Sequence, residues 1–163
     1  MASTLKVNTI AHSGGTDALT IDSTGRVLTP ARPMFYATMS QTTAANNVVK
    51  FDIVEVNVGT CYSIATGRFT APITGYYWFA YNVMSDNDGT DAYGEIRVRK
   101  NGTTYSNCSF RTELDNDFQG IATGVVNLAA NDYLDCFTNI KAYGGGSDTD
   151  LKRLTHASCF LIG

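Results

Sequence analysis

The sequence predicts an all-β protein: a ten-stranded antiparallel sandwich preceded by a short β-rich extension. Three observations lead there. Short runs rich in Tyr, Phe, Val, Ile and Thr are separated by Gly, Asn and Asp clusters at the spacing of strands and turns. No segment carries a helical period of apolar residues. Charged residues make up 17% of the 163, against 44% hydrophobic, with 15 Gly, 9 Tyr and 8 Phe, the profile of a β-rich globular domain.

The extension, residues 1–31, comes first. Leu5, Val7 and Thr9 alternate with Lys6, Asn8 and Ile10. The stretch from His12 to Asp17 breaks the run, residues 18–21 resume it, and Ser23-Thr24-Gly25 turns again before Val27 and Leu28. This pattern reads as three short strands joined by glycine turns. So few apolar side chains cannot offset the ordering entropy of an isolated unit. Leu5, Val7, Ile10, Leu19, Ile21 and Val27 are therefore expected to pack on a partner, on copies of the chain or on the following domain. Pro30 and Pro33 mark the boundary, because proline cannot extend a sheet ladder and restricts its neighbours.

Residues 32–163 hold the sandwich, with strands expected at 33–39, 48–53, 60–64, 68–71, 75–84, 92–100, 103–112, 118–128, 132–140 and 151–162. Asn101-Gly102, between alternating runs, is a two-residue hairpin signal, since both positions need positive φ. The strand at 75–84 is apolar on both faces. Tyr77, Phe79 and Tyr81 point one way and Tyr76, Trp78 and Ala80 the other. A small sandwich offers each sheet one dry face, so the second aromatic row needs its own cover, which another subunit would supply. If ten antiparallel strands alternate direction, residues 1–31 and Gly163 share a base. The connections 85–91, 113–117 and 141–150 then lie together at the opposite apex.

The run Thr66-Gly67-Arg68-Phe69-Thr70-Ala71-Pro72-Ile73-Thr74-Gly75-Tyr76-Tyr77-Trp78-Phe79 resembles the signature of the globular heads of complement component one, subcomponent q. Those heads belong to the tumour-necrosis-factor-like jelly-roll superfamily. The resemblance extends through Phe51, Gly59 and Tyr62, through Asn127 to Cys136, and into Ser158 to Ile162. It departs at Cys159, where the family usually has Gly, and in lacking a collagen-like Gly-x-y repeat. It implies a jelly roll that assembles as a homotrimer, with Tyr76, Tyr77, Trp78, Phe79, His156, Phe160 and Ile162 in the core or the trimer interface.

Residues 3–28, from Ser3-Thr4-Leu5-Lys6-Val7-Asn8 to Gly25-Arg26-Val27, are similar to the N-terminal segments of bacteriophage tail-fibre and virion structural proteins. That resemblance implies a virion protein assembled in the host cytoplasm, whose N-terminal segment binds other virion proteins. The head would then be a tail-fibre or receptor-binding module touching a host-surface glycan or protein. Its receptor-facing residues would be Asp86, Asn87, Asp88, Asp91, Asp115, Asn116, Asp117, Tyr143, Asp148 and Asp150. The alternative is a capsid or tail decoration protein that cements the particle.

Other function classes find little support. A net charge of −3 does not suit a nucleic-acid binder, and Arg97, Arg99 and Lys100 read as an outward row ending at a hairpin. No apolar run reaches the ~18 residues of a membrane helix, and the first residues do not resemble a signal peptide, so a soluble protein without membrane insertion is expected. His12 and His156 accompany no nucleophile elbow or Cys-His pair, so no enzyme is expected. Cys61, Cys108, Cys136 and Cys159 lack metal-like spacing and read as small buried hydrophobes. Asp86-Asn87-Asp88-Gly89-Thr90-Asp91 has its Gly in the fourth place, which departs from an EF-hand. It reads as a solvated turn, with a calcium site at Asp86, Asp88 and Asp91 as the alternative and no other cofactor expected.

Overall fold

The computed structural model describes residues 6–40, 43–44, 47–85, 92–112, 118–142, 150–151 and 155–162. The chain divides into two units, Met1–Arg32 and Pro33–Gly163.

The first unit is an antiparallel sheet of β1 (Thr9–Ala11), β2 (Asp17–Ile21) and β3 (Val27–Leu28), in that order. Gly15 and Gly25 take positive φ in its two turns. In the second turn one Asp22 carboxylate oxygen accepts the backbone N–H groups of Thr24 and Arg26, an Asx-type closure. Ile10 pairs with Leu19, and Ile21 with Val27. Paired residues share a face and so do alternate residues along a strand, so these four side chains form one apolar face of the sheet. Ile10, Ile21 and Val27 are exposed.

The second unit is a sandwich of two antiparallel sheets. Its strands are β4 (Met34–Thr38), β5 (Thr43–Ala44), β6 (Ile53–Val58), β7 (Tyr62–Ser63), β8 (Arg68–Thr70), β9 (Gly75–Ser85) and β10 (Ala92–Lys100). They continue with β11 (Thr103–Thr112), β12 (Phe118–Leu128), β13 (Tyr133–Ala142), β14 (Asp150–Leu151) and β15 (His156–Leu161). One sheet runs β5-β14-β9-β15-β4-β6, with β12 also on β9; the other runs β11-β10-β13-β8-β7. Every pairing between them is antiparallel, and among the described residues there is no helix.

The strands depart from expectation in three places, the first being β5, which no expected strand covers. The apolar run at 48–53 forms a strand only from Ile53, where Ile-Val-Glu-Val-Asn-Val pairs with β4. Its earlier part touches the other sheet through a single bridge, Val48 to Phe137, and sinks Val49 and Phe51 into the core. Burial drove that apolar pattern, and ladder pairing did not. The expected final strand at 151–162 divides into β14 and β15.

The dry centre is aromatic. Phe35 stacks on Tyr62 at 4.7 Å between ring centroids, and Phe69 meets Tyr77 edge-on at 5.4 Å. Each fully buried ring of this size contributes about 1.5–3 kcal/mol. Two of the polar tips are satisfied, the Tyr77 hydroxyl donating to the Ile73 carbonyl and the Tyr62 hydroxyl accepting from the Phe51 N–H, whereas the buried Tyr81 hydroxyl has no hydrogen-bond partner among the described residues. The signature glycine has a double reason. Gly67 sits at φ 68°, and a Cβ there would lie 2.7 Å from the Val49 carbonyl oxygen.

Candidate functional site

The long strands set the two ends of the sandwich. At one end Leu161 donates to Pro33, the first residue of the unit, and Ile162 donates to Tyr76. The hairpin Asn101-Gly102 and the turn at 129–132 lie there too, tied together by Asn101 and Asp132. At the other end Ser85 pairs with both Phe118 and Leu151, while Ala92 pairs with Thr112 and Ala142. The strand ends flanking 86–91, 113–117 and 143–149 therefore converge opposite the base.

Asp86, Asn87, Asp88, Asp91, Asp115, Asn116, Asp117, Tyr143 and Asp148 lie outside the described residues, and with them the suggested calcium ligands. Asp150 is the first residue of β14, opposite Ala44, and does not belong to a loop. Among the described residues no three His, Cys, Asp or Glu come together as a metal site. Of the six N-terminal residues, Leu5 lies outside the described part and Val7 precedes β1. Ile10, Leu19, Ile21 and Val27 are brought together as above.

Alternation divides the aromatic residues as the strand pattern requires. Tyr77 and Phe79 are fully buried inside the sandwich. Tyr76, Trp78, His156, Phe160 and Ile162 belong to the opposite, outward surface of the same sheet. Register aligns that surface into rows across five strands. One row reads Val125, Trp78, Phe160, Met34, Val58; the next reads Thr123, Ala80, Ser158, Tyr36, Val56. Trp78 and Phe160 stand 5.1 Å apart, and Tyr36 lies 6.2 Å from the His156 ring. Tyr76 is 56% exposed, Val125 49% and Ile162 46%. His156 faces Asn82 across the strands, with their nitrogens 3.4 Å apart.

The outward surface of the other sheet is polar and charged. Arg97 and Arg99 do form an outward row on β10, and the Lys100 ammonium bonds the Asn127 carbonyl and Asp132 at the base. Each is engaged by a neighbour, which does not make an anion site. Arg97 pairs with Glu95, and Arg99 grips Asp135 through two hydrogen bonds, of 2.6 and 3.0 Å. Asp135 has no exposed surface: Arg68 closes on it from the other side at 3.7 Å, itself stacked over Tyr133. Sequence reading missed this Arg68-Asp135-Arg99 ladder. The outward alternation of Arg97 and Arg99 was a signal, but the partner emerged only once β13 was paired with β10 and β8.

All four cysteines are free thiols, and burial pushes Cys61 up to about 11 and the thiols of Cys136 and Cys159 further still. Cys108, half-buried on β11, is the most accessible of them.

Two antiparallel sheets closed over an aromatic centre, with both chain ends of the unit at one pole, define a jelly-roll head. Residues 34–160 match the C1q domain family, so the chain belongs to that family. It is similar to mouse complement C1q tumor necrosis factor-related protein 3, 34% identical over 73 residues, which is 44% of this chain and 29% of that protein. Human multimerin-2 is 45% identical over 49 residues, 30% of this chain and 5% of that protein. The matches thus span less than a third of these relatives' length. In fold, the chain is similar to the globular domain of zebrafish complement 1qA (TM-score 0.58, 20% identity, covering 81% of this chain and 98% of that one). It is equally similar to murine APRIL (TM-score 0.58, 14% identity, covering 80% and 99%).

Proposed function

We propose that this chain is a homotrimeric, non-catalytic binding protein of a bacteriophage virion, in which the C1q-type head contacts a host-surface glycan or protein. The observation that carries the trimer is the outward row Val125-Trp78-Phe160-Met34-Val58. It is a continuous apolar stripe on the outward surface of five strands, exposed at Val125, and such stripes mark protein interfaces. Burying it between copies points three heads the same way, so the loops at their free ends act together. A weak contact repeated in this manner binds by avidity and needs no tight single site.

The virion assignment rests on the resemblance of residues 3–28 to phage fibre segments, while the animal relatives match the head. The apolar face of the first unit, Ile10, Leu19, Ile21 and Val27, supports an attachment role for it. Competition tests the reading: purified trimer added to host cells before phage should reduce adsorption in proportion to its concentration. Protein that leaves adsorption unchanged and binds only isolated capsids would replace this reading by that of a decoration protein.

A further inference from the structure

The outward surface of the β10-β11-β13 sheet contains a cleft of about 220 Å³, lined by Tyr93, Gly94, Glu95, Ser109 and Asn139. Its origin is in the register. Glu95 pairs with Ser109 on one side and with Asn139 on the other, so these three polar side chains form one row. Ser109 is short, and Gly94 contributes only backbone, which leaves a hollow beside the half-exposed Tyr93 ring. Tyr93 is the second residue of β10, and Ser109 and Asn139 lie three residues before the ends of their strands. The hollow therefore opens just beneath the end of the head where 86–91, 113–117 and 143–149 emerge.

Its chemistry is specific. The Glu95 carboxylate accepts hydrogen bonds from Arg97, from the Asn139 amide at 3.3 Å and from Asn107, which hold it in place and below the ordinary carboxyl range. A carboxylate has about four acceptor sites, more than the three donors named. The Asn139 amide and the Ser109 hydroxyl each add groups that donate and accept. Tyr93 supplies an apolar ring face with a polar tip. A carboxylate accepts from hydroxyl groups and has no hydrogen to donate to an anion. Vicinal hydroxyls suit the row of Glu95, Ser109 and Asn139, and a C–H face suits the Tyr93 ring. The volume falls below the roughly 300–1,000 Å³ of a site for a drug-sized ligand, which suits one sugar ring.

We infer that this cleft is a carbohydrate subsite that takes a single neutral pyranose ring, stacked on Tyr93 and hydrogen-bonded by Glu95, Ser109 and Asn139. The inference rests on the reading above that this end of the head meets a host-surface ligand, and it moves the sugar contact from the loops to the sheet beneath them.

Saturation-transfer NMR on the full chain tests it, with the methyl pyranosides of glucose, galactose, mannose and N-acetylglucosamine as probes. At least one should receive saturation and shift the Tyr93 ring resonances. Tyr93→Ala should weaken that binding about tenfold, the equivalent of about 1.4 kcal/mol. Ser109→Phe should abolish it by filling the hollow, with an unchanged melting temperature showing that the head is folded. Absence of transfer from all four sugars overturns the subsite, as does binding that survives both substitutions. Phage-adsorption competition by the same variants separates the two readings. Wild-type and variant protein that block adsorption equally leave the receptor-binding role standing without this subsite. Sugar binding by a protein that never blocks adsorption leaves the subsite standing without that role.

Discussion

Trp78 and Phe160 lie side by side with ring centroids 5.1 Å apart, on the surface of their sheet that faces away from the core. Their strand neighbours Tyr77 and Phe79 have no exposed surface at all. One strand thus serves two apolar layers, one inside the sandwich and one on its outward surface.

The first prediction concerns that outer layer. Phe160→Arg leaves the inner aromatic cluster untouched but puts a charge into the centre of the stripe. Removing such an anchor typically costs about 2 kcal/mol or more per contact. Sedimentation should show wild-type trimer and a variant monomer at micromolar concentration, with the β-rich circular dichroism spectrum kept. A wild-type protein that sediments as a stable monomer would sink the trimer.

The Arg99-Asp135 pair gives a second. Breaking a buried ion pair by removing one partner costs roughly 3–5 kcal/mol. Arg68 stays within 3.7 Å of Asp135, so Arg99→Ala should fall near the lower figure, about 3 kcal/mol in denaturant unfolding. Replacing both partners, Arg99→Met with Asp135→Leu, should recover most of the loss, because no buried charge is left and Arg68 is 41% exposed to water.

Gly67 makes the third. Alanine there would need positive φ and would press its Cβ against the Val49 carbonyl, so Gly67→Ala should destabilise by about 1–3 kcal/mol. The drop in melting temperature checks it. A neutral substitution would mean that the turn can shift by several tenths of an ångström.

Asp132 supplies a pH dependence. Hydrogen bonds from Asn101, the Ala129 N–H and Lys100 hold its carboxyl at about 2, below the ordinary 3.8. A folded-state value below the unfolded one stabilises at pH above the unfolded value, and that gain fades as pH falls toward the folded one. The melting-temperature gap between wild type and Asp132→Asn should therefore be constant above about pH 5 and close between about pH 4 and pH 2. A gap that widens in acid would refute this linkage.

Much of the fold was legible because it depends on local alternation. The two-faced strand after Gly75, the Asn101-Gly102 hairpin and the buried cysteines 61, 136 and 159 all follow from period-two patterning and turn chemistry. The strand expected at 48–53 failed because Val49 and Phe51 are apolar for burial without belonging to a ladder. The Arg68-Asp135-Arg99 ladder was not legible, since it joins three strands separated along the chain.

Residue alternation by itself determined that the strand after Gly75 carries an apolar row on each face, one more than a sandwich can cover. It could not determine what stands beside what. A plain hairpin at Asn101-Gly102 would set Cys108 opposite Glu95, but the register shifts between Val98 and Arg99 and brings Ser109 there. That one-residue bulge turns Cys108 toward Ile96 and Ser109 outward into the cleft, because a single step of register exchanges the two faces of a strand. Side-chain period is a property of the chain, whereas register belongs to the pair of strands, and the cleft is made by register.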